Sequence, residues 1–303
     1  MSATIVGLGY CGWDILSVLP RIPIDDKVKI IESMEQGGGP SATAIYAAAK
    51  LGSDCAFVGA VGDDAQGDKI IEAFRSIGVD TSAIARRPGA ASPTAYCWIE
   101  QTTGHRSIAW TSGAVAPLSP DELDYDLIAN ARILHLDGHQ TDAAIAAARF
   151  ARAHGVTVSI DAGTVVPRID ELLGLCDIVI MSEKFARAHA GAEDDPSEGA
   201  RRLFRPGVTR FCGVTLGSRG SVGFDGERDY FQRTFPVKVV DTTGAGDTYH
   251  GSFCNALSRG LPWQECMRQA SMTSALKCTR LGGRTGLPTM DQLQQALAES
   301  QDD

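Results

Sequence analysis

The chain has 303 residues, of which 44% are hydrophobic and 21% charged, and its formal net charge is −9 at pH 7. An acidic protein of this kind is poorly suited to binding along a nucleic-acid backbone or an anionic membrane surface, because both require a basic face. The composition therefore favours small-molecule chemistry by a globular protein.

The cysteines and the N-terminal segment limit the class of protein further. The eight cysteines stand singly, without a CxxC pair, so we expect buried, reduced thiols and neither a zinc site nor a disulfide framework. The sequence MSATIVGLGYCGWDIL lacks a basic leader, and no uninterrupted apolar run approaches about 18 residues. These features predict a cytoplasmic protein without a membrane anchor.

The first half of the chain contains two kinds of predicted strand. The apolar strand TIVGLG and the helix SATAIYAAAKLG are typical of an α/β domain. Four other segments read as partly exposed strands: WDILSVLP, KVKIIESM, PTAYCWIEQ and HRSIAWTS. The last two flank Thr102-Thr103-Gly104 and predict a hairpin. We interpret these insertions, at about residues 12–35 and 92–112, as a small lid sheet on one domain spanning residues 1–303.

From about Ala131, strands and helices alternate. The apolar segments are RILHLDG, VTVSIDAG, CDIVIMS and TRFCGVTLG, and the helical ones are TDAAIAAARFARAHG and EGARRLFRPG. Such alternation predicts an α/β fold with a mostly parallel sheet covered by helices. We expect SVGFDG and RDYFQRTF to pair as a β-hairpin, two helices to close the chain, and the tail LAESQDD to be disordered.

Two glycine-rich segments near the N-terminus are candidate phosphate-binding loops. Gly7-Leu-Gly9-Tyr-Cys-Gly12 matches the GxGxxG fingerprint, but that fingerprint needs a helix at its third glycine, and WDILSVLPRIP reads as a strand broken by prolines. A nicotinamide-dependent dehydrogenase is therefore disfavoured. The segment from Gly37 to Thr43 opens a helix, where glycines let a ligand approach backbone amides. A flexible loop with a polar helix cap is the alternative interpretation.

The segment VVDTTGAGDTYHGSF, residues 239–253, places Asp247 directly after a glycine pair at the start of a predicted helix. Unpaired N–H groups and the positive end of the helix dipole suit a site where negative charge develops on phosphoryl oxygens. A carboxylate cannot hold a phosphate, so we expect it to accept a proton from the attacking hydroxyl. For this segment alone, a first-turn acid that only stabilises the helix is the alternative.

Two separated segments in the same order resemble the signatures of one enzyme family. DTTGAGDTYHGSF resembles the C-terminal signature of the PfkB, or ribokinase-like, carbohydrate kinases, and GGGPSATAIYAAAKLGSDCAFVGAVGDDAQG resembles their N-terminal signature. The resemblance covers nearly the whole chain. It implies a three-layer α/β/α sandwich with a mostly parallel central sheet, a small β-sheet lid that often forms a homodimer interface, and ATP-dependent phosphorylation of a sugar hydroxyl.

The resemblance also implies roles for individual residues. Asp247 would be the catalytic base, beside an anion hole formed by Gly244, Ala245 and Gly246. Sugar hydroxyls would be bound by four residues: Asp14, Gly38, Gly39 and Thr43. The nucleotide would be bound by Thr215, Gly217, Gly220, Lys277 and Gly282. Magnesium would be held mainly by the ATP phosphates, and a monovalent cation such as potassium by the loop around Asp241 and Thr243.

Some positions depart from the family pattern. Thr43 stands where most of these kinases have Asn, and Ser182-Glu183-Lys184-Phe185 replaces their N-x-x-E segment, which leaves Glu183 only a candidate. GGGPSATA and ALKCTRLGGRTGLP resemble the branch of sulfofructose kinases and, less closely, ketohexokinases, which favours a ketose or its derivative. A sulfonate or phosphate on the sugar would need cationic partners, and the lid region offers Lys27, Lys29 and Arg106.

Other interpretations stay open. Trp110 and Gly138-His139 occupy places where polar or cationic groups are expected in a sulfofructose kinase. The acceptor can be a nucleoside or another small alcohol on the same fold, and the altered N-x-x-E segment is compatible with a nucleotide-binding regulator without catalysis. His250 follows Asp247 by three residues and shares its helix face, either as part of a proton relay or as a packing residue near the sugar pocket.

Overall fold

The computed structural model describes residues 3–103, 105–192 and 195–300. The strands are β1 (Ile5–Leu8), β2 (Gly12–Leu19), β3 (Glu32–Gly38), β4 (Cys55–Gly62), β5 (Ile84–Arg87), β6 (Thr94–Glu100), β7 (Arg106–Thr111), β8 (Ile133–Leu136), β9 (Thr157–Ala162), β10 (Ile178–Ser182), β11 (Phe211–Thr215), β12 (Ser221–Phe224) and β13 (Asp229–Gln232). The α-helices are α1 (Pro40–Lys50), α2 (Ala65–Arg75), α3 (Tyr125–Ala129), α4 (Thr141–Ala153), α5 (Ile169–Leu173), α6 (Glu183–Ala190), α7 (Pro196–Leu203), α8 (Ala245–Ser258), α9 (Trp263–Lys277) and α10 (Met290–Glu299).

Nine strands form one large sheet in the order β13-β12-β11-β10-β9-β8-β1-β4-β5. All neighbouring pairs are parallel except those of β12, which runs antiparallel to both β11 and β13. The predicted α/β fold and the β12–β13 hairpin are therefore confirmed. In a parallel sheet, ligands bind at the carboxyl ends of the strands, so this edge is where a site is expected.

Helices cover both faces of the large sheet, and the described residues form four apolar cores, two of them larger than the rest. Strand β1 contributes to both of these larger cores, because Ile5 packs with Ile45 and Phe57 in one core, whereas Val6 and Leu8 belong to the other. The first core lies against α1, α2 and α8, and the second lies against helices α3 to α7. The predicted three-layer sandwich is confirmed.

A second sheet has four strands in the order β3-β2-β6-β7, and we call it the lid sheet. The predicted β6–β7 hairpin is present as an antiparallel pair, and Gly104 of its turn lies outside the described residues. The segment KVKIIESM was predicted as a strand, but β3 begins only at Glu32. Its pairing with β2 accounts for the difference, because the register aligns Glu32 with Val18 and Gly38 with Gly12.

The GxGxxG segment leads into a strand, as the sequence analysis predicted. Gly12 is the first residue of β2, so no helix begins there. Gly7 and Gly9 serve packing, because a methyl group on Gly7 would overlap the Ile45 side chain and one on Gly9 would overlap the Asp137 carboxylate. The dinucleotide-binding interpretation therefore lacks the helix that it requires.

The C-terminal region differs from the prediction in two respects. Three helices close the chain where two were expected, because Thr289 caps α10 with a capping box. The tail LAESQDD was expected to be disordered, but Leu297 and Glu299 lie in α10, where Leu297 packs against Leu51 and Met272. Residues 301–303 lie outside the described part. No described helix is long and apolar enough to cross a membrane.

Candidate active site

A cavity of about 370 Å³ opens beside the first turn of α8, and we call it the α8 cavity. Thr215, Gly217 and Gly220 line it at the turn between β11 and β12, and Ala245 and Gly246 line it at the start of α8. The rest of the lining is mostly apolar and includes Phe235, Val237, Val239, Ala275 and Cys278. The cavity therefore combines an apolar wall with a helix N-terminus.

Gly244 starts α8 in a conformation that favours glycine. Its φ of 71° lies in the left-handed region, and no side chain caps the helix. The Ala245 N–H donates to Thr242 O, whereas the N–H groups of Gly246 and Asp247 meet no acceptor among the described residues. Free N–H groups at the positive end of a helix dipole attract anions. The geometry of this turn therefore allows it to hold an anion.

Asp247 lies in the first turn of α8 and is partly buried. Removal from water raises the pKa of its carboxyl group well above the ordinary range, and the nearby carboxylates of Asp161 and Asp137 raise it further. The Arg284 guanidinium opposes this rise. A carboxylate with a raised pKa is a stronger base once it has lost its proton, which suits proton abstraction from a hydroxyl.

The predicted sugar-binding residues lie together on the other side of Gly244. A methyl group on Gly38 would lie 2.6 Å from Asp14 Cγ, so the Asp14 carboxylate covers Gly38. Gly39, with φ of 101°, starts α1, and Thr43 follows in its first turn. The methyl carbon of Thr43 lies 3.5 Å from the position that a Gly244 Cβ would occupy. The lid sheet, α1 and α8 thus meet at one point.

The loop from Asp241 to Thr243 is held by its own hydrogen bonds. Asp241 Oδ1 accepts from the Thr243 N–H and Oγ1, both at 2.8 Å, and Oδ2 accepts from the Gly282 N–H at 2.9 Å. The fully buried Lys277 donates through Nζ to Asp241 O at 2.8 Å. Lys277 and Gly282 are therefore part of this loop's support, and neither lines the α8 cavity among the described lining residues.

A comparison with family models identifies this arrangement. The model of the pfkB family carbohydrate kinases matches residues 13–290, which include the lid strands, the start of α8 and the Asp241 loop. The chain belongs to the pfkB family. It is therefore a carbohydrate kinase, a phosphotransferase that acts on an alcohol group.

Individual relatives extend the pfkB assignment over the whole chain. The ATP-dependent ribose-1-phosphate kinase of Halopiger xanaduensis is 30% identical over 97% of this chain and 98% of its own length. The structure of Arabidopsis thaliana ribokinase complexed with ribose and ATP is 28% identical, with a TM-score of 0.85, and covers 98% of this chain and 99% of that one.

A ribokinase II structure from E. coli in complex with ATP and Mg²⁺ has the same pfkB fold. Its TM-score is 0.87 over 98% of this chain and 99% of that one, at 23% identity. Structures of this type therefore bind ATP, and one of them binds Mg²⁺ as well.

Asp137, which sequence reasoning missed, organises the centre of this pfkB site. Its Oδ2 accepts from the N–H groups of Tyr10 at 2.9 Å and Ser41 at 3.1 Å, and its Oδ1 accepts from His139 N at 3.0 Å. The residue joins the end of β1, the start of α1 and the loop after β8. The available signal was an acidic residue at the carboxyl end of a predicted parallel strand, in RILHLDG.

Asp161 and His250 form a buried pair directly beside the predicted base. His250 Nε2 lies 3.2 Å from Asp161 Oδ1, and both side chains are almost fully buried. His250 lies one turn after Asp247 on the same helix. The observed partner of His250 is Asp161, and both interpretations of His250, a proton relay and a packing residue near the sugar pocket, stay predictions. The segment VTVSIDAG carried the same strand-end signal as Asp137.

Arg284 was also missed, and its charge opposes the rise in the pKa of both Asp14 and Asp247. It is 8% exposed, its Nε donates to Thr43 Oγ1 at 3.4 Å, and its backbone N–H donates to Gln36. Its guanidinium lies over the Tyr46 and Phe74 rings, at 4.7 and 5.5 Å. Burial lowers the pKa of Arg284 to about 10. Thr43 is therefore tied to a cation that the sequence pattern did not reveal.

The remaining candidates lie further out or are already paired. Glu183 forms ion pairs with Arg187 and Arg219, both at 2.5 Å, while Phe185 is buried in the core. Lys27 and Lys29 lie in the segment that connects β2 to β3 and belong to neither strand. Trp110 is 68% exposed on the lid sheet. The described residues hold no group of three or more Asp, Glu, His or Cys side chains arranged to bind a metal.

Proposed function

We propose that this kinase transfers the γ-phosphoryl group of ATP to a hydroxyl, most simply a primary one, of a monosaccharide, with Asp247 as the general base. The observation that carries the proposal is the position of Asp247 between two surfaces. Gly246 beside it lines the α8 cavity, and Gly244 before it packs near Thr43, whereas the charge of Asp14 acts on Asp247 itself. Donor and acceptor bound on these two surfaces would meet at the first turn of α8.

The α8 cavity is the proposed nucleotide site. Its apolar wall suits a purine base, and Thr215, Gly217 and Gly220 lie where they would line the nucleotide. The free N–H groups of Gly246 and Asp247 would stabilise charge on the transferring phosphoryl group. Mg²⁺ bound to the ATP phosphates would supply further charge neutralisation. The lid would exclude water from the reacting atoms.

The acceptor is proposed to be a ketose or a derivative of one, held by Asp14, Gly38, Gly39 and Thr43. Carboxylate and amide groups discriminate between hydroxyls by direction, which suits a polyol. The inner part of this site is rich in carboxylates, since Asp14, Asp137 and Asp161 all raise the pKa of Asp247. A sulfonate or phosphate on the sugar would therefore bind away from these three acids, near the cationic side chains of the lid region.

The test is an ADP-release assay with Mg·ATP across ketoses, aldoses, sugar acids, sugar phosphates, sulfofructose and nucleosides. We expect one acceptor to be strongly preferred, and Asp247→Asn to lower its turnover by about 10²- to 10⁴-fold while ATP still binds. Turnover at the wild-type rate in Asp247→Asn would refute the role of Asp247 as the general base. A strong preference for a nucleoside would show that the acceptor is a nucleoside and not a sugar. ATP binding without ADP release for any acceptor would favour a nucleotide-binding regulator without catalysis.

We also propose that two copies of the chain associate through the lid sheet. All six residues of β7 are exposed, and Ile108 and Trp110 are 51% and 68% exposed. By the strand register, Trp110 lies opposite Ala95, which in turn lies beside Asp14, so these residues share one face of the lid sheet. An exposed apolar edge strand is normally covered by a partner. A second lid is the proposed cover.

A further inference from the structure

The family resemblance implies a monovalent cation at the loop from Asp241 to Thr243, and such an ion requires several free oxygen ligands. The oxygens of Asp241 already have donors. Thr243 donates twice to Oδ1, Gly282 donates to Oδ2, and Lys277 Nζ donates to the main-chain oxygen, at distances of 2.8 to 2.9 Å. Each oxygen of Asp241 therefore already has at least one donor, and Oδ1 has two, which leaves few lone pairs for an added cation.

Lys277 brings a charge to this loop from the last turn of α9. Its side chain has 0% exposure, and Asp241 O is the hydrogen-bond acceptor that the described residues give to its Nζ. Lysine is almost never fully buried unless it is paired with an opposite charge. Burial lowers the pKa of Lys277, and the Asp241 carboxylate opposes this most strongly by favouring the charged form. The ammonium group thus brings a positive charge to the loop that carries the Asp241 carboxylate.

Arg106 approaches the same loop from the lid sheet. Its Nη1 donates to Thr243 Oγ1 at 3.2 Å and lies 3.7 Å from Asp241 Oδ1. Asp241 therefore has a side-chain cation at each end: Lys277 from α9 at its main-chain oxygen and Arg106 from β7 near its carboxylate. Another cation brought to this point would be repelled by both. The residues present do not fit a bound potassium ion.

We infer that the Lys277 ammonium group takes the place of a monovalent cation beside the anion hole, so that this chain works without potassium. The loop that it supports ends at Gly244, the residue that starts α8 and sets the direction of the free N–H groups. A covalently attached cation would hold this loop at any salt composition. The inference rests on the proposed function only for the measurement of turnover.

The first test uses the unmodified protein. We compare turnover and thermal midpoint in potassium, sodium and tetramethylammonium chloride at equal ionic strength, with Mg·ATP prepared free of alkali ions. Turnover should agree within about twofold among the three salts, because screening is the same in each. The thermal midpoint should agree as well. Activation by potassium of roughly tenfold, or a midpoint raised specifically by potassium, would overturn the inference.

The second test removes the ammonium group with Lys277→Met and uses Lys50→Met, an exposed lysine at the end of α1, as the matched control. Lys277→Met should lose turnover by roughly tenfold or more, since a buried acceptor loses its charged partner. Potassium or ammonium ions should restore part of that loss and raise the thermal midpoint, whereas Lys50→Met should respond like the wild type. A folded Lys277→Met that is unaffected, or impaired without rescue by either ion, would contradict the inference.

The two proposals fail in distinguishable ways. If no acceptor supports turnover, the proposed function fails, but the salt dependence of the thermal midpoint still tests the role of Lys277. If Lys277→Met does not fold, the salt panel on the wild type decides the question by itself. If turnover is found and depends on potassium, the proposed function stands and the role of Lys277 is wrong.

Discussion

Helix α8 and strand β7 both border the site, yet α8 is buried between other elements and β7 is exposed along its whole length. A methyl group on Gly251 of α8 would overlap the main-chain oxygen of Ala44 and lie 2.8 Å from its carbonyl carbon, so α1 and α8 touch through their backbones. Within the described part of the chain, strand β7 pairs with β6 alone, and Arg106 links it to the Asp241 loop.

This contrast separates two tasks. The base and the anion hole lie on a helix that cannot shift without disturbing α1 and the large sheet, which suits chemistry that needs fixed geometry. Strand β7 is exposed along its length, so this edge of the lid sheet can move with a ligand or a partner. Substitutions on α8 should therefore change stability, and substitutions on β7 should change association or binding while stability is preserved.

The largest stability effect should come from Gly251→Ala. Its new methyl group meets main-chain atoms of Ala44, which cannot rotate away, so α8 must separate from α1. Overpacking of this kind should lower the free energy of unfolding by about 1–3 kcal/mol. Chemical denaturation monitored by circular dichroism measures the change.

Gly246→Ala on the same helix is the matched control. A methyl group there would meet no atom within 4 Å, so the free energy of unfolding should be preserved or slightly raised by the better helix former. Its turnover should fall, because the methyl group would enter the proposed anion hole. Equal stability of the two variants would show that the contact between α1 and α8 is looser than the distances indicate.

His135 should make stability depend on pH. It is buried beneath α8, where its Nδ1 lies 3.4 Å from Ser159 Oγ, and burial lowers its pKa to about 3. In the unfolded chain it would titrate near 6.5, so the unfolded state binds more protons between these values and stability falls as the pH falls. The loss should be about 1.4 kcal/mol per pH unit below 6.

Unfolding of His135→Gln at pH 4 to 7 tests this directly. The variant should lose most of that slope, while His105→Gln, an exposed residue of the lid region, should keep it. An unchanged slope in His135→Gln would mean that another group is responsible for the acid sensitivity.

The sequence predicted the parts of the site that are local in the chain. Asp247 and Gly244 were predicted because a glycine, an acid and a helix start lie within four residues, and Gly38 and Gly39 because they directly precede the start of α1. Asp14 joins them only through the β2–β3 register, and the family resemblance supplied it. The large sheet was predictable because its strands are short apolar segments that alternate with helices.

The missed residues act across long distances in the sequence. Arg284 reaches Thr43, 241 positions away, and Asp137 reaches Ser41, 96 positions away. No local pattern specifies such pairs, because they depend on how the sheet brings strand ends together. The expected cation loop illustrates the same limit. Asp241 and Thr243 were predicted from a motif, but the hydrogen bonds that Lys277 and Gly282 donate to Asp241 are visible only in three dimensions.

Arg284→Met should displace the acid limb of the pH–rate profile. The Arg284 charge lowers the pKa of Asp247, so its loss should raise that pKa and move the acid limb to higher pH. Rates on that limb change about tenfold per pH unit for a single ionisation, so a modest displacement gives a several-fold loss. Arg284→Lys keeps the charge and should stay near the wild-type profile. An identical displacement in both variants would assign the effect to packing over Tyr46 and Phe74.

The smallest effect on stability should come from Trp110→Ser on β7. Its side chain is 68% exposed, so its replacement should change the free energy of unfolding by no more than about 0.5 kcal/mol. If a second lid covers this residue, the variant should shift from dimer to monomer in sedimentation analysis, because exposed aromatic side chains dominate such contacts. Glu299→Ser, at the exposed end of α10, is the control for the loss of a large surface side chain. A wild type that is monomeric at every concentration would refute association through the lid. Trp110 would then only share the face of the lid sheet that carries Asp14.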